Sequence, residues 1–123
     1  MNVTELIDRY CRIWNEEDPS IRAELLSSVW ATDATYTDPT VHAAGAQELL
    51  NHIATVRAGR PGASIVRTST VDAHHSVARF AWQLVRADGT TLPEGIDIVL
   101  LASDGSRIER IIGFFGPLGR TPK

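Results

Sequence analysis

The stretch Gly95-Ile96-Asp97-Ile98-Val99-Leu100-Leu101 constrains this chain more than any other. It is a continuous apolar run rich in β-branched residues, the signature of a strand buried on both faces, and it contains one carboxylic acid. Strand side chains alternate, so Asp97 shares a face with Gly95, Val99 and Leu101. A lone ionised carboxylate there costs several kcal/mol or takes up a proton. Asp97 therefore pairs with an arginine such as Arg79, Arg107 or Arg110, or it is an acid lining a pocket. The run alone leaves both open.

The rest of the composition bounds the partners. The chain has 123 residues, enough for one domain with one core, here taken as residues 1–123. Net charge is −3 with both signs scattered, so no basic stripe is available for nucleic acid. No apolar run is long enough to span a bilayer, which argues against a membrane partner. Met1-Asn2-Val3-Thr4-Glu5 lacks a basic segment followed by an apolar one, so the expected location is cytoplasmic. Cys11 is the single cysteine, which excludes an internal disulfide and argues against a structural zinc cluster.

Periodicity orders the elements. Val3, Leu6, Ile7, Tyr10, Ile13 and Trp14 fall on one face of a helix capped by Asn2 or Thr4 and running to about Glu17. Asp18-Pro19 starts a second helix that carries Ile21, Leu25, Leu26, Val29 and Trp30 inward. Ala34 to Asp38 alternates as a strand until Pro39, and Val41-His42-Ala43 reads as a second short strand. A third helix spans Ala46 to about Ala58, with Leu49, Leu50, Ile53 and Val56 as its stripe, and Gly59-Arg60-Pro61-Gly62 ends it. From Ala63 the period is two. Strands are expected at about 63–73, 76–87, 91–102 and 106–115, joined by turns at Asp72 to Ser76, Asp88-Gly89 and Asp104-Gly105. Short loops imply an antiparallel meander. Helices before such a sheet indicate an α+β fold, with a curved antiparallel sheet and three helices enclosing a cone-shaped pocket.

Chemistry-bearing patterns are few. His42, His52, His74, His75 and Cys11 have no ligand spacing, so no metal is expected. No Gly-x-Ser-x-Gly elbow exists, and Gly113-Phe114-Phe115-Gly116 lacks the glycine pattern and following helix of a phosphate cradle, so no cofactor is expected either. The carboxylates remain. Asp38 ends a strand before a proline and reads, taken alone, as a turn residue. Tyr10 reads as a core tyrosine whose hydroxyl needs a partner.

The element order, with Arg9-Tyr10 in helix one, Asp33-Ala34-Thr35-Tyr36-Thr37-Asp38-Pro39 after helix two and Ile96-Asp97 in a late strand, resembles ketosteroid isomerase. More broadly it resembles the nuclear transport factor 2-like superfamily and its SnoaL-like polyketide-cyclase branch. The resemblance spans nearly the whole chain. It implies a cystatin-like cone with an internal pocket, and a homodimer. It also implies roles: Asp38 as general base, with Tyr10 and a protonated Asp97 as hydrogen-bond donors to a developing enolate. Trp14, Phe80, Trp82, Leu84, Val99 and Phe114 would then wall the pocket, with Tyr36 and His42 near its mouth. A small apolar or polycyclic ligand would fill it. The superfamily offers two other outcomes, a non-catalytic binding or accessory protein and an epoxide-hydrolase or dehydratase type of enzyme.

Overall fold

The computed structural model describes residues 1–122. Helix α1 (Val3–Asn15) begins at Asn2, whose side chain accepts the Glu5 amide at 2.8 Å. Helix α2 (Pro19–Val29) begins at Asp18, which accepts from Ser20 and Ile21. Between them Arg22 is buried, its guanidinium donating to the carbonyls of Glu16 (3.0 Å) and Glu17 (3.2 Å). The otherwise unsatisfied carbonyls after α1 are met in this way, and the corner between the helices is fixed.

The strands are β1 (Trp30–Asp38), β2 (Val41–Ala44), β3 (Ser64–Arg67), β4 (Asp72–His74), β5 (Val77–Val85), β6 (Gly95–Leu101) and β7 (Ile108–Phe114), with α3 (Ala46–Gly59) between β2 and β3. They form one sheet in the order β2-β1-β7-β6-β5-β3, and β4 also pairs with β5. The α+β architecture with three helices over a curved, unclosed sheet is as the sequence leads one to expect.

Four local expectations need correction. The sheet is mixed, because β1 runs parallel to β7. These strands are far apart in sequence, so no hairpin forces them antiparallel. Trp30 opens β1 instead of closing α2. The strand expected at 63–73 is two short strands, β3 and β4, that pair with opposite ends of β5. The strand expected from residue 91 begins at Gly95, with Thr91 making only an isolated bridge to Val85. Leu92, Pro93 and Glu94 belong to a loop, and proline cannot donate to a ladder.

The core lies between helices and sheet. Leu6, Ile7 and Ile13 of α1, Leu26 and Val29 of α2, and Leu49 and Ile53 of α3 pack on Ala78, Val99, Ile108 and Ile111 of the sheet. Asn15 ties α1 to β3. Its side-chain oxygen accepts the Ile65 amide at 2.7 Å, and its nitrogen donates to the Ile65 carbonyl at 2.9 Å. Among the described residues no helix is long and apolar enough to cross a membrane.

Candidate functional site

Strand register aligns the chemistry. Phe80 on β5 lies opposite Asp97 on β6, and Asp97 lies opposite Gly113 on β7. The β1–β7 pairing sets Thr37 beside Ile112, which brings Asp38 next to Gly113. Phe80, Asp97, Gly113 and Asp38 thus cross four strands in one row, on the face covered by the helices. A cavity of about 520 Å³ opens above this row.

Gly113 is the spacer between the acids. A Cβ at this position would lie 2.9 Å from Asp97 Oδ1 and 3.4 Å from Asp38 Cβ. Gly113→Ala is therefore expected to cost about 1–3 kcal/mol, the usual range for overpacking a filled site. Denaturant midpoints check this, and a loss under about 0.5 kcal/mol, as at ordinary surface positions, would mean the acids are free to separate. Gly95 has a matching function. A Cβ there would lie 2.4 Å from the Trp82 ring, so the bare strand lets the indole lie across it.

That indole meets Asp97. Trp82 Nε1 donates to Asp97 Oδ1 at 2.9 Å. No cation pairs with Asp97 among the described residues. Arg79 binds Asp72 at 3.0 Å, Arg107 donates to the Ser28 carbonyl, and Arg110 is exposed. The ion-pair option for Asp97 is therefore corrected to a pocket acid. Burial pushes its carboxyl up to about 7; the Trp82 hydrogen bond opposes this, and the nearby Asp38 charge adds to it.

Asp38 is held differently. Its Oδ2 accepts the Tyr36 hydroxyl at 2.6 Å, and its Oδ1 accepts both the amide and the hydroxyl of Thr40 at 2.7 Å. The Thr40 bonds are those of an Asx turn, so Asp38 is a turn residue and a cavity residue at once. His52 Nε2 stands 3.8 Å from Asp38 Oδ2. Its ring meets Trp14 edge-on at 5.9 Å and lies 5.8 Å from Tyr36.

Tyr10 lines the same cavity and stacks on Trp30 at 6.2 Å. The Trp14 indole is close enough to favour the ionised phenol slightly, but no described group makes a well-formed hydrogen bond to the Tyr10 hydroxyl. Burial, foremost, and the nearby Tyr36 and Asp97 raise its pKa well above the ordinary phenol value. Burial, its bond to Asp38 and the nearby Asp97 raise Tyr36, and burial pushes the Cys11 thiol up to about 12. Tyr10, Tyr36 and Cys11 are therefore neutral donors at neutral pH.

The other named residues divide. Trp14, Tyr36, Phe80, Trp82 and Leu84 line the cavity, Tyr36 inside it instead of at its mouth. Val99 lies in the closed core. His42 is exposed and bonds Thr37 Oγ1 at 2.7 Å, away from the cavity. Phe114 is 58% exposed, while Phe115 lines the cavity and packs edge-on against Trp82 at 5.9 Å. Alternation carries this signal: with Asp97 facing in, its partner Gly113 faces in and Phe114 faces out. His52 also left a trace in the sequence. It sits on the inward stripe of α3, three residues after Leu49 and four before Val56, where a polar side chain is out of place unless it faces a cavity.

No protein-family model and no curated protein matches the chain. Solved structures do. A candidate isomerase of the SnoaL-like family from Agrobacterium tumefaciens is 34% identical, with a TM-score of 0.86 over 92% of this chain and 96% of that one. A nuclear transport factor 2-like protein of unknown function from Mesorhizobium loti is 18% identical, with a TM-score of 0.69 over 94% of this chain and 91% of that one. A candidate ketosteroid isomerase from Kribbella flavida is 17% identical, with a TM-score of 0.64 over 98% of this chain and 82% of that one. The last two share the fold alone. Full-length similarity to the first, on a fold that the others repeat, makes this chain a member of the SnoaL-like family.

Proposed function

We propose that the protein is an isomerase or cyclase that moves a proton next to a carbonyl. The observation that carries this reading is the state of Asp97: buried, paired with no cation among the described residues, and sharing a cavity with Asp38. Below about pH 7 Asp97 keeps its proton. Trp82 occupies Oδ1, so the acid proton sits on Oδ2 and is free to donate. The Tyr10 hydroxyl, without a hydrogen-bond partner among the described residues, supplies a second donor. Two neutral donors stabilise a developing enolate oxygen. Asp38 supplies the carboxylate that accepts the carbon-bound proton. The mostly apolar walls suit a small apolar or polycyclic ketone.

A phenolate resembles the enolate, so 2-naphthol tests the donor pair. Tyr10→Phe should weaken its binding about 10–100-fold, the worth of a hydrogen bond to a charged group. Fluorescence titration measures it, and an unchanged affinity would remove Tyr10 from the donor pair.

The reading includes a homodimer of this single domain. Ile96 and Phe114 are cross-strand partners on the outer face of the sheet, 44% and 58% exposed. A second copy covering this face would bury both, and Ile96→Lys should leave a monomer. Sedimentation of the parent as a monomer at micromolar concentration would discard the dimer.

A further inference from the structure

We infer that His52 is the second proton-transfer residue of this cavity, delivering a proton to a substrate carbon that the fixed Asp38 does not reach. The inference rests on the isomerase reading above.

Asp38 has little freedom to travel between two carbons. Both of its oxygens are engaged, Oδ1 by Thr40 and Oδ2 by Tyr36. Its side chain is 3% exposed, and its Cβ lies against Gly113. Swinging it would leave a buried hydroxyl and a turn amide without their acceptor.

His52 is placed to do what Asp38 cannot. Its Nε2 is 3.8 Å from Asp38 Oδ2, so both atoms border the same volume. Trp14 and Tyr36 fix the ring from two sides. A buried histidine kept for structure is normally hydrogen-bonded. His52 is largely buried, lines the cavity, and makes no hydrogen bond to any described residue.

The cycle balances. The proposed cycle starts from Asp38 carboxylate and His52 imidazolium. Asp38 Oδ2 takes a proton from the carbon between the carbonyl and the alkene, and the C–H electrons become the dienolate. Tyr10 and Asp97 donate hydrogen bonds to its oxygen. The dienolate's far carbon takes the Nε2 proton of His52 as the carbonyl re-forms and the double bond shifts. The Asp38 proton then passes to the neutral imidazole, restoring the pair with no net gain or loss.

Cyclohex-3-enone in D2O separates the two transfers by proton NMR. Exchange at the carbon between carbonyl and alkene reports the Asp38 step, and formation of cyclohex-2-enone reports both. His52→Gln should keep exchange within about threefold and lose about 100-fold in isomerisation, the usual range for removing a general acid. Isomerisation at the parent rate would overturn the inference and leave the isomerase reading standing. Loss of both exchange and isomerisation, with 2-naphthol binding retained, would also overturn it, making His52 a positioning residue for Asp38. Absence of exchange in the parent would remove the isomerase reading and this inference with it. Should His52→Gln not bind 2-naphthol, the parent protein decides. In a single turnover of ketone deuterated at the exchanging carbon, in H2O, transfer by two residues puts solvent hydrogen on the far carbon. Deuterium there would show one residue making both transfers and overturn the inference.

Discussion

Asp38→Asn should abolish deuterium exchange at the carbon beside the carbonyl of a bound enone, a loss of about 10²–10⁴-fold, typical for removing a positioned base. The amide keeps an acceptor for Thr40 but offers the Tyr36 hydroxyl an NH2 group where Oδ2 accepted it. A buried hydroxyl losing its acceptor costs about 1–3 kcal/mol, so the variant is also less stable. Binding of 2-naphthol separates the effects, because the proposed oxyanion donors Tyr10 and Asp97 are untouched. Retained binding with lost exchange assigns the base to Asp38. Equal exchange in parent and variant would rule Asp38 out, and no exchange in the parent with any enone would favour a binding protein.

Asp97→Asn should change the pH dependence of stability more than any other single replacement in the cavity. The folded carboxyl is raised from an ordinary 3.8 to about 7. Three units at about 1.36 kcal/mol each amount to on the order of 4 kcal/mol. Because the folded pKa is the higher one, the native state holds the proton where the unfolded chain has released it. The contribution is full below the unfolded value, falls across the window between the two, and is gone above the folded value. Asp38, across Gly113, pushes in the same direction as burial, and Trp82 opposes them. Tyr10, Tyr36 and Cys11 also feel the Asp97 charge, and all three are neutral in this window. Asparagine keeps an acceptor for Trp82 and never ionises. Relative to the parent, the variant should therefore gain a few kcal/mol between pH 4 and pH 8. Parallel stability curves for the two proteins, from urea unfolding across that range, would show that Asp97 does not hold its proton.

The sequence carried the fold well because its elements are amphipathic with clean periods. The stripe of α1 allows one way of facing the core, whereas the apolar run of β6, read as buried on both faces, leaves Ile96 exposed on the outer face of the sheet. The parallel β1–β7 pair was invisible, since nothing local encodes which distant strand fills a sheet edge. Asp97 stood out because an acid in an apolar run demands an explanation, and its isolation in the fold follows from where Arg79, Arg107 and Arg110 find other surroundings. His52 was hidden because a lone histidine on a helix has no spacing signature; only β1 folding beneath α3 brings it to Asp38. Thr40 was hidden for the opposite reason. It belongs to a turn so ordinary that its second use, holding a cavity carboxylate, leaves no mark.

The enolate-stabilising site requires Asp97 to be a proton-bearing donor inside the cavity. Carbon-detected NMR titration of its side-chain carboxyl, assigned through Asp97→Asn, measures this in the free protein. A midpoint near 7 is expected. A midpoint at or below the unfolded value of about 3.9 would make Asp97 a permanent anion beside Asp38 and contradict the enolate-stabilising site.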